Sequence, residues 1–299
     1  MDKFVSVIIP VLNDLIGLRQ TLTALDNQTY PANLYEVIVV DNGSTEDISP
    51  IVEKLPQAKL IHESQPGSYI ARNKGISIAR GEILAFTDSD CIPESDWIAK
   101  GVEQLRSVTN CGLVAGKINF YYQKPQQPTV VELYDSTTFL NQKKYVEQLH
   151  YAATANMFTT KAVMQEVGNF NSDLKSGGDK EWGQRVYHRG YSLVYGADVC
   201  ISHPARASLS EIVRKITRTR TGGQDLDVLS ADNKLDLYRQ RLSKILWRLK
   251  PPSKSMLSKL DLCANYINWR QKIKLLGITI YLHYYGVWGD INRLFSKQK

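Results

Sequence analysis

Gly81-Glu82-Ile83-Leu84-Ala85-Phe86-Thr87-Asp88-Ser89-Asp90 joins a short apolar run to a tight acidic cluster. The run 83–87 lacks the polar alternation of a half-exposed strand, so it predicts a strand buried on both faces. In an extended segment residues i and i+2 point the same way, which puts Asp88 and Asp90 on one side and Ser89 on the other. Two carboxylates this close repel unless a proton or a cation joins them. Oxygen ligands of this kind suit Mg²⁺ or Mn²⁺, which take one or two carboxylates together with substrate phosphates. The plainer alternative is a solvated acidic loop, with Asp90 capping a helix before Pro93. On these residues alone both stay open.

The same grammar precedes it. Phe4 to Val11 is a β-rich run closed by Asn13-Asp14, and Leu15, Leu18, Leu22 and Leu25 then recur at helical spacing. Tyr35 to Val40 is a second buried strand, stopped by the turn sequence Asp41-Asn42-Gly43-Ser44. A brief helix over 48–55, a short strand at Leu60-Ile61 and a helix over 68–79 follow. This alternation predicts an α/β fold, a mostly parallel Rossmann-like sheet flanked by helices. Ligands bind such sheets beyond the carboxyl ends of the strands. The polar clusters at 13–14, 41–44 and 88–90 all stand at strand ends, so they should converge on one edge.

The second half is more mixed. Helices are predicted over 93–107, 130–146, 161–167 and 179–189, and strands over 113–120 and 191–201, the latter ending at His203-Pro204. Residues 152–159 read as small and polar. Beyond Arg206 the pattern is helical and basic.

Charge divides the chain in the same place. Residues 1–205 carry 18 Lys/Arg against 23 Asp/Glu, while 206–299 carry 19 against 7, giving −5 and +12. A basic tail attracts phosphates: nucleic acid, anionic lipid or a phosphorylated substrate. The expected organisation is a catalytic domain over 1–205, with halves 1–110 and 111–205, and a basic helical extension over 206–299. The whole is 299 residues and 43% hydrophobic, enough for a real core. Four scattered cysteines suit reduced thiols in a cytoplasm better than a disulfide framework or a zinc site. The N-terminal apolar run is too short for a signal peptide, and no stretch reaches the ~20 apolar residues of a spanning helix. The chain is therefore expected in the cytoplasm. Residues 275–288 suggest an interfacial helix that attaches it to anionic membrane, or a helix closing the domain.

Further residues can carry chemistry. Asp41 can accept a hydrogen bond from a base or a ribose, or simply make the Asx-turn that stops its strand. Arg72, one turn into a helix opened by Gly67, is a phosphate contact or a solvated helix face. Asp179 is an N-cap or a base for an acceptor hydroxyl, and Glu181 can pair with Arg185 at i,i+4. His203 is a metal or diphosphate contact or a hydrogen-bonded edge histidine. Arg214, Arg218 and Arg220, before Gly222-Gly223, form a mobile phosphate-closing loop or a solvated basic face.

Taken in order, these stretches resemble the family 2 glycosyltransferases, which have the nucleotide-diphospho-sugar transferase (GT-A) fold. The matching stretches are 5–13, 36–45, 67–75 with Ala71-Arg72-Asn73-Lys74-Gly75, 81–90, and Gly178-Asp179 with Glu181 and Arg185. They cover residues 4 to about 205. The resemblance implies that Pro10, Val11 and Asn13 border the nucleotide, that Asp41 contacts the base, and that Arg72 lies near base and phosphates. It implies that Asp88, Ser89 and Asp90 hold the nucleotide diphosphate, with Asp88, Asp90 and His203 on Mg²⁺ or Mn²⁺. Asp179 matches the catalytic base. Gly178 stands where Glu is commoner, which removes a second carboxylate and makes Glu181 the fallback base. Asn156, Glu181 and Trp182 are the implied acceptor contacts, though Trp182 also reads as core. The implied reaction is inverting, metal-dependent transfer from a nucleotide sugar, UDP by default, to a saccharide or lipid-linked acceptor. A nucleotidyltransferase would share the layout but usually has a Gly-rich basic loop after the first strand, and residues 11–14 lack one. A non-catalytic nucleotide- or polyanion-binding protein is the third reading. No nucleic-acid partner is expected, since no aromatic platform or zinc-finger spacing appears.

Overall fold

The computed structural model describes residues 3–231, 233–263 and 267–295. Residues 1–2 and 296–299, the ends of the two expected domains, lie outside the described residues. The chain forms two units: Met1–Phe120 with Leu140–Pro204, and Tyr121–Phe139 with Ala205–Lys299.

The first unit opens with β1 (Val5–Val11), α1 (Leu15–Asp26), β2 (Tyr35–Asp41), α2 (Ser49–Val52), β3 (Ala58–His62), α3 (Ser68–Ile78) and β4 (Ile83–Thr87). Then come β5 (Ile92–Pro93), α4 (Trp97–Ser107) and β6 (Cys111–Tyr121). After α5 (Val130–Thr138), which belongs to the second unit, follow α6 (Gln142–Leu149), β7 (Asn156–Thr160), α7 (Lys161–Val167), α8 (Gly178–His188) and β8 (Ser192–Pro204). The sheet order is β3-β2-β1-β4-β7-β6-β8-β5. The first four strands are parallel, with Val5 opposite Tyr35 and Ile83. β7 runs antiparallel to β4, and β6 antiparallel to β7. This is the GT-A architecture the sequence predicts.

The parallel half follows directly from composition. All seven residues of β2 are buried, and β-branched Val37, Ile38, Val39 and Val40 pack on both faces. Val37 and Val39 share a core with Leu18, Leu22 and Leu25 of α1. On the other face α3 approaches closely because residue 75 is glycine; a Cβ there would lie 2.6 Å from Ile8 Cγ2.

Three local expectations are corrected. The helix predicted from Pro93 begins at Trp97, because Ile92-Pro93 pairs with β8 at the sheet edge, where Pro needs no donor. The helix predicted over 130–146 is two, broken where Leu140 takes a left-handed φ of 57° and Asn141 caps α6. The polar segment around Asn156-Met157-Phe158 is a central strand, β7, which the sequence reading missed.

The second unit comprises α5, α9 (Leu209–Ser230), α10 (Lys234–Arg248), α11 (Ser253–Leu262) and α12 (Trp269–Phe295). After segment 121–139 it resumes at Ala205. Segment 121–139 joins it because Leu133 and Tyr134 pack with Ile212, Ile216, Leu275 and Leu282. Buried Asp135 also binds Arg206 through both oxygens at 3.2 Å. α9 runs unbroken through Gly222-Gly223, so of the two readings of Arg214, Arg218 and Arg220 the structure does not show the loop. Arg220 instead meets buried Asp290, which also takes Arg248 at 2.8 Å and Gln224 at 3.1 Å. Among the described residues, no helix is long and apolar enough to cross a membrane.

Candidate active site

The strand tips converge as the topology requires. Asp41 ends β2 as an Asx-turn, its Oδ1 accepting the Ser44 amide at 2.9 Å and its Oδ2 accepting His62 Nδ1 at 3.2 Å. Burial alone would raise its pKa, but the Ser44 and His62 hydrogen bonds outweigh burial and hold the carboxyl below its ordinary value. Asn13, at φ 54°, donates its amide to Ser44 Oγ at 3.0 Å and accepts the Thr45 amide at 2.8 Å. The β1 and β2 tips are thereby laced together. Pro10 is half-buried, while the Val11 side chain lies in the core, so Val11 offers this edge only backbone. Its carbonyl accepts the Asn42 amide at 2.9 Å. The Asn42 side chain in turn holds the loop before α3, through Glu63 and Gln65 carbonyls at 2.9 and 2.7 Å and the Gly67 amide at 2.8 Å.

The acidic cluster after β4 is divided among three partners. Asp88 pairs with buried Arg72. Ser89 donates to Asp14 at 2.8 Å, and Asp14 also caps α1 at the Gly17 amide. Thr21 clamps the same loop from α1, donating to the Ser89 and Cys91 carbonyls at 2.7 and 2.6 Å. Arg72 is thus the cation that meets Asp88 in this structure. Through these bonds Ser89 ties the loop to α1.

Asp90 faces His203 instead, with Oδ2 3.7 Å from Nε2. His203 Nδ1 lies 2.7 Å from the Pro204 carbonyl, which can only accept, so the ring proton sits on Nδ1. In the neutral ring Nε2 therefore presents a lone pair toward Asp90. A backbone carbonyl on the far ring nitrogen is how metal-binding histidines are oriented. The gap is too long for a direct hydrogen bond. The Cys91 thiol completes a group of three possible donors within 4.8 Å, but burial first, then Asp90 and Asp88, push its pKa well up. A neutral thiol does not suit a hard cation.

Asp179 stands in the first turn of α8. Its Oδ1 accepts the Tyr69 hydroxyl at 3.2 Å and the Lys180 amide at 2.9 Å. Burial raises its pKa, against the lowering effects of the Lys180 amide, Arg72 and the Tyr69 hydroxyl, and nearby Asp88 adds to the rise. The net direction is upward. Tyr145 and Tyr151 stack nearby, ring centroids 4.6 Å apart, and Tyr151 feels the Asp179 charge. The departure at Gly178 has a physical reason: a Cβ there would lie 2.8 Å from the Tyr69 ring.

The expected acceptor contacts are corrected. Asn156 is fully buried and saturated, accepting from Trp97 Nε1 at 2.8 Å and donating to the Lys117 and Val199 carbonyls at 2.9 Å. Trp182 is also fully buried, packed on Phe170 and bonded to the Gly168 carbonyl at 2.9 Å. Glu181 gives both oxygens to Arg185 at 2.6 and 3.0 Å, so it is no spare base. Sequence reasoning missed Tyr69, and it placed Asn42 and Asp14 in the converging clusters without giving either a role. Tyr69 lies three residues before Arg72 on one helix, a spacing that shares a face.

A parallel sheet that gathers acids at the tips of β1, β2 and β4, extended by antiparallel strands and joined by a further carboxylate on α8, is the layout of the GT-A fold class. The family model described as "Glycosyl transferase family 2" matches residues 6–168. The chain is 40% identical over 259 residues to Glycosyltransferase AglE of Haloferax volcanii, covering 83% of each. A Methanococcus voltae protein, dolichyl N-acetyl-alpha-D-glucosaminyl phosphate 3-beta-D-2,3-diacetamido-2,3-dideoxy-beta-D-glucuronosyltransferase, is 22% identical over 227 residues, 71% of this chain and 70% of that one. Among solved structures, mannosyltransferase PcManGT from Pyrobaculum calidifontis, in complex with GDP-Man and Mn²⁺, superposes with a TM-score of 0.69 at 18% identity. That match covers 100% of this chain and 89% of PcManGT and supports the fold. The chain belongs to glycosyl transferase family 2, and it is a glycosyltransferase.

Proposed function

We propose that the protein transfers a sugar from a nucleoside diphosphate to a hydroxyl of a saccharide or lipid-linked saccharide, with inversion at the anomeric carbon. The observation that carries this reading is the placing of Asp179, a desolvated carboxylate held by Tyr69, beside the Arg72–Asp88 pair. Asp179 Oδ1 is occupied by two donors, which leaves Oδ2 to take the acceptor proton. A pKa raised toward neutrality makes it a more effective base. As the proton moves to Asp179, the acceptor oxygen bonds the anomeric carbon and the bond to the diphosphate breaks, its electron pair leaving with the phosphate. Buried Arg72 places fixed positive charge next to this centre. Asn13 and Asp41, with the backbone at 10–11, form the edge assigned to the nucleoside. Asp90 and His203 are the residues that would hold a divalent cation, Mn²⁺ or Mg²⁺. When bound, it supplies neutralising charge for the departing diphosphate. PcManGT, solved with GDP-Man and Mn²⁺, lends this support, and the name of the M. voltae relative points to a lipid-linked acceptor.

The test is incubation with Mn²⁺ and a panel of nucleotide sugars, UDP-sugars and GDP-mannose first, with release of nucleoside diphosphate as the readout. Turnover with one donor, enhanced by a saccharide acceptor, is the expected result. No release and no calorimetric uptake of any nucleotide with Mn²⁺ present would end the proposal.

A further inference from the structure

The five tryptophans divide cleanly between the two units. Trp97 and Trp182 in the first unit are wholly buried, whereas Trp247, Trp269 and Trp288 in the second are 71, 65 and 59% exposed. Indole is costly to leave in water, and three in one small unit call for a partner.

They do not stand alone. On α10 and just past it, Leu235, Tyr238, Leu242, Leu246 and Leu249 are all exposed, at steps of three and four that make one helical face. On α12, Trp269, Ile273, Ile280, Tyr284, Trp288 and Phe295 are exposed at steps of four and seven, again one face. α12 already has a core-facing stripe, formed by Leu275, Thr279, Leu282, Gly286 and Val287. A surface helix needs one apolar stripe; this one has a second, turned outward. The two outward faces meet, since the Tyr284 hydroxyl reaches the Leu249 carbonyl at 3.4 Å and His283 Nε2 lies 2.7 Å from the Arg248 carbonyl.

Charge identifies the occupant. Residues 234–295 contain twelve Lys/Arg and only three acids, Asp236, Asp261 and Asp290. Asp290 is buried between Arg220 and Arg248. Lys234, Arg239, Lys250, Lys254, Arg270 and Lys274 are exposed around the apolar faces. A second copy of the chain would bring the same positive field against itself. A bilayer with anionic headgroups satisfies both features at once: the apolar face enters the headgroup–acyl boundary, tryptophan and tyrosine sit at that level, and lysine and arginine meet phosphates. Because no described helix can span, the helices must lie in the interface plane.

We infer that the outward apolar faces of α10 and α12 form a membrane-docking surface that binds anionic lipid bilayers peripherally. This deepens the reading of a lipid-linked acceptor but can be tested without nucleotide or sugar, so the two can fail separately.

The full chain is floated with phosphatidylcholine vesicles, with and without about a third phosphatidylglycerol, while tryptophan emission is followed. Because the two sheet-unit indoles are already buried, a blue shift and quenching by brominated acyl chains report on the docking face. The expected result is binding to the anionic vesicles, weakened by salt, with a blue shift. The double variant Leu246→Glu/Trp247→Glu should bind at least tenfold more weakly with an unchanged melting temperature, both side chains being on the surface. Lys250→Glu/Lys254→Glu/Lys274→Glu should lose the preference for anionic lipid but stay folded. Wild-type binding by the double variant overturns the inference. So does absence of binding to anionic vesicles, or a dimer in sedimentation that Leu246→Glu/Trp247→Glu dissociates while vesicles are left unbound.

Discussion

The Tyr69 hydroxyl donates to Asp179 Oδ1 at 3.2 Å, across 110 positions of chain, while the Tyr69 ring occupies the space beside Gly178. The two contacts are one device. The chain lacks the second carboxylate that its family resemblance leads one to expect, and a phenol stands against that backbone and steadies the remaining carboxylate. The arrangement couples α3, which carries Arg72, to α8, which carries Asp179.

Removing that phenol separates position from charge. Tyr69→Phe keeps the ring beside Gly178 but deletes a donor to the ionised carboxylate, so the Asp179 pKa rises further. A base works deprotonated, so the acid limb of the rate profile moves to higher pH. Loss of one hydrogen bond to a charged group predicts about tenfold lower kcat/KM below the optimum. A pH–rate profile of both proteins checks it; coincident acid limbs would refute the coupling. Gly178→Glu should lower the melting temperature, at a cost of about 1–3 kcal/mol for overpacking against the ring.

Asp179→Asn tests the base. General-base loss predicts a fall of roughly a hundredfold to ten-thousandfold in kcat with donor binding retained. Stability should move the other way. The folded pKa lies above the ordinary 3.8, so the unfolded chain ionises first and stability is lost as pH rises from about that value through the folded pKa. The variant should therefore melt higher than wild type at pH 7, and the gain should vanish near pH 3. Thermal scans across pH decide it, and a lower melting temperature at pH 7 would contradict the desolvation argument.

His203→Ala leaves Asp90 without its facing nitrogen. Weakening of Mn²⁺ activation by about 10- to 100-fold is expected, with the Mn²⁺-free protein equally folded. Titration of activity against Mn²⁺, beside calorimetric nucleotide binding, measures it. An Asp88→Asn variant should show a smaller change in metal requirement than Asp90→Asn, since Arg72 holds Asp88.

Glu36 is a structural counterpart to the active-site acids. Burial would raise its pKa, but Ser6 at 2.6 Å, the Arg80 amide at 2.7 Å and Lys59 at 3.0 Å pull it down from 4.5 to about 2. The folded pKa is depressed, so its stabilisation is fully present above about pH 5 and is lost as pH falls toward 2. A shift of this size corresponds to about 3 kcal/mol, reduced to ~2 because Lys59 and Arg80 are partly exposed. Glu36→Gln should lose that amount at pH 7 by urea titration and differ little from wild type at pH 2.

The parallel half was legible because each of its signals is local. β1, β2 and β4 announce themselves as buried runs, and Asp41 and Asp88 stand where runs meet turns. Lys161–Val167 is a helix with the bounds predicted for it. β7 was not legible, because Asn156, Thr159 and Thr160 look like a loop until Trp97 and two carbonyls are seen to use the buried amide. For Trp182 and Glu181 the sequence left two readings each, and the structure took the core for one and the Arg185 pair for the other: an aromatic or an acid near a helix start reads alike whether it faces a ligand, the core or an arginine.

What the sequence determined by itself is the run of strands β1 to β4 and the positions of the acids at their ends, since strand burial and turn chemistry depend on neighbours within a few residues. What only tertiary structure decided is which partner each acid received. Arg72 claims Asp88, Asp14 claims Ser89, His203 faces Asp90 and Tyr69 holds Asp179, and those pairs are 16, 75, 113 and 110 residues apart. The protonation and role of a carboxylate follow from the charges and donors within a few ångströms, and a linear chain does not encode that neighbourhood until it folds.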